Sequence, residues 1–203
     1  MNIFVTGIDT DSGKTLVSAI LCEAMRADYW KPVQAGFPRD AVTVRQLVTN
    51  TDTTIHPETF LLNTAASPHA AAKIDGVDMR LSDFKLPPTD RDLIIEGAGG
   101  CLVPLNDSEF VIDLAAHLGA TVILVADLYL GSINHTLLTA ETLHQRGITP
   151  VGLIFNGDPN PESERIICHH TGFKVLLHIR REGAINPEIV KQYAELFNRK
   201  RNE

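Results

Sequence analysis

The residues with the most chemical content lie near the start of the chain, in Gly7-Ile8-Asp9-Thr10-Asp11-Ser12-Gly13-Lys14-Thr15. Glycines let backbone N–H groups close around phosphate oxygens, a lysine can reach the β and γ phosphates, and a neighbouring hydroxyl can ligate magnesium. Five residues rather than four separate Gly7 from Gly13, so the standard GxxxxGK[ST] spacing fails by one position. Lys14-Thr15 at a strand-to-helix junction still points to a triphosphate site; the plain alternative is a turn with an exposed lysine. A second group is Asp92-Leu93-Ile94-Ile95-Glu96-Gly97-Ala98-Gly99-Gly100. It puts the Glu96 carboxylate at the end of a buried strand, as a magnesium ligand opposite the loop or as a cap on the glycine-rich turn. A third is Lys31 in Trp30-Lys31-Pro32-Val33. Held in a stiff apolar setting it could neutralise charge during phosphoryl transfer, whereas alone it reads as a surface lysine with its stem on apolar neighbours.

Short apolar runs must position these groups. Ile3-Phe4-Val5 predicts a strand ended by Gly7, and Val17, Ile20, Leu21 and Ala24 then recur at helical spacing. Further strands are predicted at Leu93-Ile94-Ile95, Thr121 to Ala126, Val151 to Phe155 and Lys174 to Ile179. These runs are apolar throughout, as when both faces of a parallel sheet are covered. Ile133 to Arg146 predicts a helix ended by Gly147, and Asn186-Pro187-Glu188 opens a last one with a cap, a proline and an early acid. The expected fold is α/β, a mostly parallel open sheet flanked by helices, with ligands at the carboxyl ends of the strands and one domain over residues 1–203. Residues 37–90, rich in Thr, Pro and Asp, are expected to hold short helices and loops over the site. The short connection from Arg26 to Lys31 is expected to trim an edge of the sheet.

Composition excludes several classes. With 18 Lys plus Arg against 25 Asp plus Glu, the net charge of −7 disfavours a duplex-binding surface. Cys22, Cys101 and Cys168 are an odd, scattered set without CxxC spacing, fitting neither a disulfide framework nor a zinc site but a reducing cytosol. Thr121 to Ala126 is too short to cross a bilayer, and Met1 to Gly7 has no basic, long-apolar leader, so a cytoplasmic protein without membrane contact is expected. His169 and His170 would point about 100° apart on a helix, which argues against one shared metal. Cys101 has no paired base and reads as packing, and Arg199-Lys200-Arg201 with Glu203 reads as a solvated tail.

In order along the chain, Phe4 to Asp11 with Gly13-Lys14-Thr15, Lys31-Pro32-Val33, Ser67-Pro68-His69, Glu96 to Gly100, Leu130 to His135 and Asn186-Pro187-Glu188 resemble the dethiobiotin synthetases. The resemblance implies a P-loop NTPase-type fold and the ATP-dependent carboxylation of 7,8-diaminononanoate with CO2 to dethiobiotin, through a carbamate and a carbamic-phosphoric anhydride. It implies Mg2+ as cofactor, ATP as co-substrate, and a homodimer with sites at its interface. Carried over by position, Lys14, Lys31 and Thr10 would be catalytic, and Thr15, Asp40 and Glu96 would hold the metal. Asp11, Ser12, Gly13, Lys14, Thr15, Asn156, Arg180, Arg181 and Glu182 would bind nucleotide. Thr10, Asp11, Lys31, Ala35, Gly99 and Gly131, Ser132, Ile133 and Asn134 would face the diamine, the last four from the partner subunit. Read without the resemblance, Ser132 is a helix cap and Asn156-Gly157-Asp158-Pro159 a turn.

The sequence departs from that family at Asp11, where many relatives carry Glu, and at Ala35, where a hydroxyl residue is common. His178-Ile179-Arg180-Arg181-Glu182 lacks the usual proline. Among rivals, a regulatory switch ATPase would carry a second lysine early in the loop, where Ile8, Asp9 and Thr10 stand. An amide-forming synthetase needs a glutaminase domain, for which 203 residues leave no room. A silent binding protein stays open as a third alternative; the absence of Lys14 or Glu96 would favour it, and both are present.

Overall fold

The computed structural model describes residues 1–201. In chain order the elements are β1 (Asn2–Gly7), α1 (Lys14–Met25), β2 (Asp28–Trp30), β3 (Val33–Ala35), α2 (Asp40–Leu47), β4 (Phe60–Leu62), α3 (Pro68–Asp75) and β5 (Leu93–Gly100). There follow α4 (Asp113–His117), β6 (Thr121–Asp127), α5 (Ser132–Gln145), β7 (Gly152–Asn156), α6 (Pro161–Thr171), β8 (Val175–Ile179) and α7 (Pro187–Arg201). Six strands pair in parallel in the order β2-β5-β1-β6-β7-β8, and β3 and β4 form a separate parallel pair.

Successive side chains of a strand point to opposite faces, which explains why these runs are apolar at every position. Phe4, Ile95, Leu124 and Phe155 pack into one core. Ile3, Val5, Ile94, Ile123 and Ile154 pack into the other, against Val17, Ile20 and Leu21 of α1 and Val190 and Phe197 of α7. Because β1 is flanked by β5 on one side and β6 on the other, its carboxyl end opens into the crevice where parallel sheets take ligands.

The structure adds to the expected elements and corrects some. The Arg26–Lys31 connection does not trim the sheet; it supplies β2, an edge strand pairing Tyr29 with Ile94. A three-residue strand is too short to leave a periodic signature. The glycine run after Glu96 is not a turn, since β5 continues to Gly100. Strands β7 and β8 start one residue later than expected, and α5 starts and ends one residue earlier. Residues 37–90 contain the short helices α2 and α3, as expected, and the strand β4, which was not expected. Asn186 does cap α7, its Oδ1 accepting from Ile189 N at 3.0 Å. Arg199 to Arg201 form the last turn of α7, and Glu203 lies outside the described residues. No helix among the described residues is long and apolar enough to cross a membrane.

Candidate active site

The loop between β1 and α1 is wound around its own lysine. Lys14 Nζ donates to the carbonyl oxygens of Asp9 and Thr10 at 2.8 and 2.7 Å, and Ser12 Oγ donates to Asp9 O at 3.0 Å. Gly13, at φ +93°, occupies the left-handed region just before the helix, and a Cβ there would fall 2.3 Å from Asn156 Nδ2. That amide, at the end of β7, donates to Ser12 O at 3.0 Å and ties the loop to the sheet. Glycine at 13 is therefore required twice, by backbone conformation and by close approach. Burial lowers the Lys14 ammonium to about 8, although the Glu96 carboxylate pulls the other way.

Opposite the loop, β5 presents Glu96 in the same face as Ile94, while β2 and the residue beyond it present Tyr29 and Lys31 to that face. Glu96 is 1 % exposed. Its Oε1 accepts from Thr15 Oγ1 at 2.9 Å and from Lys31 Nζ at 2.9 Å, and its Oε2 accepts from Tyr29 OH at 2.7 Å. Asp40, in the first turn of α2, places Oδ2 2.6 Å from Lys31 Nζ. Asp40 N–H in turn donates to Gln34 Oε1 at 3.0 Å, which fixes the start of α2. Burial alone would raise the Glu96 carboxyl, but Lys31, Tyr29 and Thr15 outweigh it and hold the group below the usual carboxylate range. Burial alone would lower Lys31, and its two carboxylates reverse that and raise it. Lys31 is thus not a surface lysine: at 5 % exposure it is a buried cation shared by two acids.

These groups line one cavity of about 460 Å³, walled by Thr10, Asp11, Lys14, Thr15, Lys31, Ala35, Asp40, Glu96 and Gly99, and closed by Ser67, Pro68 and Val103. Ser12 and Gly13 belong to the loop that frames it. Among the described residues no group of three or more His, Cys, Asp or Glu side chains converges as a metal cage. The donors present, two carboxylates and the Thr15 hydroxyl, are hard oxygens, and magnesium typically takes one or two carboxylates and completes its shell with water and substrate phosphate. The residues fit that ion. Sequence reasoning overlooked Tyr29 and Gln34; alternation along β2 with Lys31 two residues on was the available signal for Tyr29.

The remaining candidates lie elsewhere. Gly131, at φ +110°, precedes α5, and Ser132 does not cap that helix: its hydroxyl is buried without a hydrogen-bond partner. Asn134 lines a groove between α5 and α6 with His144 and His170. Ile133 follows on α5, outside the cavity walls. Beyond β8, Arg180 and Arg181 are exposed, and Tyr193 OH accepts from Arg180 N at 3.0 Å and donates to Glu182 Oε1 at 2.5 Å. This segment adjoins Asn156, which pairs with Ile179 across β7 and β8 and whose Nδ2 is already engaged by the loop. Cys101 is buried with its thiol 3.4 Å from Thr6 Oγ1, as packing requires, and all three cysteines are free. His169 and His170 are both exposed on α6.

The chain can be set beside known proteins. A family model described as an AAA domain matches residues 1–188. The ATP-dependent dethiobiotin synthetase BioD of Cytophaga hutchinsonii is 58 % identical over 198 residues, covering 96 % of this chain and 96 % of that protein. The protein of the same name from Christiangramia forsetii is 48 % identical over 199 residues, covering 97 % and 96 %. Among solved structures, the septum site-determining protein MinD of Pyrococcus horikoshii, complexed with Mg-ADP, superposes with a TM-score of 0.56 at 16 % identity over 98 % of this chain and 90 % of that one. A putative plasmid partition protein of Borrelia burgdorferi, bound to AMPPNP, gives 0.59 at 11 % identity over 99 % and 96 %. At such identities the structural matches speak for the fold, that of P-loop NTPases.

Proposed function

This chain belongs to the family of ATP-dependent dethiobiotin synthetases, which are ligases, and from that premise we propose how its cavity carries out the reaction. One amine of 7,8-diaminononanoate adds to CO2, forming an N–C bond and losing a proton, to give a carbamate. A carbamate oxygen attacks the γ-phosphorus of ATP, and ADP leaves. The second amine attacks the carbonyl carbon of the resulting anhydride, the C–O bond to phosphate breaks, and the cyclic urea closes as phosphate departs.

Each step asks for positioning and charge neutralisation rather than a covalent enzyme intermediate. Lys14 neutralises the transferring phosphoryl group, exchanging its loop carbonyls for phosphate oxygens. Lys31, already held between Glu96 and Asp40, stands where the carbamate and the γ-phosphate meet. Thr10 and Asp11 face the diamine, while the small Ala35 and Gly99 leave its chain room. Thr15, Asp40 and Glu96 would hold Mg2+, which would supply neutralisation of charge on the phosphates. Asp11, Ser12, Gly13 and Thr15 receive the phosphates, and Asn156, Arg180, Arg181 and Glu182 flank the base.

Gly131 to Asn134 serve the neighbouring site in a homodimer, where the start of α5 offers backbone N–H groups to the substrate's carboxylate. The placement of these residues outside the cavity supports that reading, as do the exposed Leu102, Leu130 and Leu138. In this reading residues 1–203 work as one domain, in the cytoplasm, on small molecules, without nucleic acid or membrane.

The observation that carries the proposal is the meeting of Lys14, Lys31, Thr15 and Glu96 in one cavity. Phosphate release with ATP, Mg2+ and bicarbonate tests it. Release should depend on the diamine and match dethiobiotin one to one. Equal release without the diamine would indicate a switch ATPase instead.

A further inference from the structure

Glu96 is held from behind as well as from the cavity. Three hydrogen bonds reach its carboxylate, and they divide unevenly: Oε1 takes the donors that belong to the cavity, Thr15 and Lys31, and Oε2 takes only Tyr29 OH. Tyr29 is wholly buried in the core on the α1 side of the sheet, among the residues packed against Ile94 and Val17. A carboxylate has two equivalent oxygens and free rotation about its last bond. A fixed donor on one oxygen removes that freedom and leaves the other turned to Thr15.

We propose that Tyr29 is a positioning residue for the metal site: its buried hydroxyl locks Oε2 of Glu96 so that Oε1 alone faces the cation. This rests on the reading of Glu96 as a magnesium ligand. The support is the pairing of β2 with β5, which sets Tyr29 beside Ile94, two residues from Glu96 on the same face. Partners of this kind, hydrogen-bonded behind a ligand, commonly change metal affinity by about 10–100-fold when removed. Tyr29→Phe deletes the hydroxyl and keeps the ring that fills the core.

The test is Mn2+ binding to the protein with ADP, followed by electron paramagnetic resonance, for the wild type, Tyr29→Phe and Glu96→Gln. The expected result is a Mn2+ dissociation constant raised about tenfold by Tyr29→Phe. ADP binding in EDTA should stay within twofold of wild type, and the half-saturating Mg2+ concentration for turnover should rise more than kcat falls. Should Tyr29→Phe fail to fold, Tyr29→Leu, which also removes the donor and keeps an apolar side chain in the core, takes its position. Unchanged Mn2+ affinity in a folded Tyr29→Phe, with Glu96→Gln weakened, would overturn the role of Tyr29 alone. Failure of both Tyr29 variants to fold would assign the hydroxyl to stability and overturn it too. Mn2+ affinity unmoved by Glu96→Gln would instead overturn the metal reading beneath it.

Discussion

The phosphate loop and the segment after β8 both adjoin Asn156, and they are built by opposite means. The loop is closed on itself, with Lys14 on two of its own carbonyls, Ser12 folded back on Asp9, and Asn156 bracing it from the sheet. Arg180 and Arg181 are exposed, and Tyr193 braces the segment. Glu96 and Lys31 extend the first pattern, as buried charges paired with each other, Lys31 also with Asp40. In the proposed reading, the groups that act on the reacting atoms are preorganised at the expense of desolvation, while Arg180 and Arg181 beside the base are left in water. Preorganised charges cost no rearrangement at the moment of reaction, which is where such electrostatic stabilisation has its largest effect.

By that contrast, disturbing the interior should cost stability and turnover together, and disturbing the exterior should cost only some affinity. Glu96→Ala leaves Lys31 buried with Asp40 alone, and breaking a buried pair in this way should cost about 3–5 kcal/mol in urea unfolding. Lys14→Ala should lower kcat by about 10²–10³, the loss typical of one preorganised donor, read from steady-state rates. A stable Glu96→Ala or an active Lys14→Ala would erase the distinction.

The pH dependence sharpens it. Bound phosphate favours the ammonium form of Lys14, whereas burial in the free protein has lowered that group to about 8. Below about 8 the lysine is already charged and affinity for ADP in EDTA should be flat. Above it a proton must be taken up on binding, and affinity should fall by up to about tenfold per pH unit, measured by calorimetry. Smallest of all, Arg181→Ala should change ADP binding by less than about 1 kcal/mol, because its partner Asp158 is 4.0 Å away and both are exposed.

The legible parts of the sequence follow the same division. The five longer strands of the main sheet could be read because a covered parallel sheet demands apolar runs, and Lys14 could be read because phosphate binding demands glycines before it. Glu96 was legible from its place at a strand end. Lys31 was ambiguous, because nothing local distinguishes a buried lysine from one whose stem lies on apolar neighbours; its burial depends on Asp40 and Glu96, nine and sixty-five residues away. Strands β2, β3 and β4 have three residues each, too few for any period to register. Tyr29 was hidden for that reason, since without β2 its alternation with Lys31 has no meaning.

The most direct trial of the account follows oxygen. With ¹⁸O-labelled bicarbonate, ATP and the diamine, a carbamate that attacks the γ-phosphorus must surrender one labelled oxygen when the ring closes. Early turnover should therefore release phosphate carrying ¹⁸O. Phosphate free of ¹⁸O, its new oxygen drawn from the unlabelled solvent, would mean that the cavity hydrolyses ATP without activating a captured CO2.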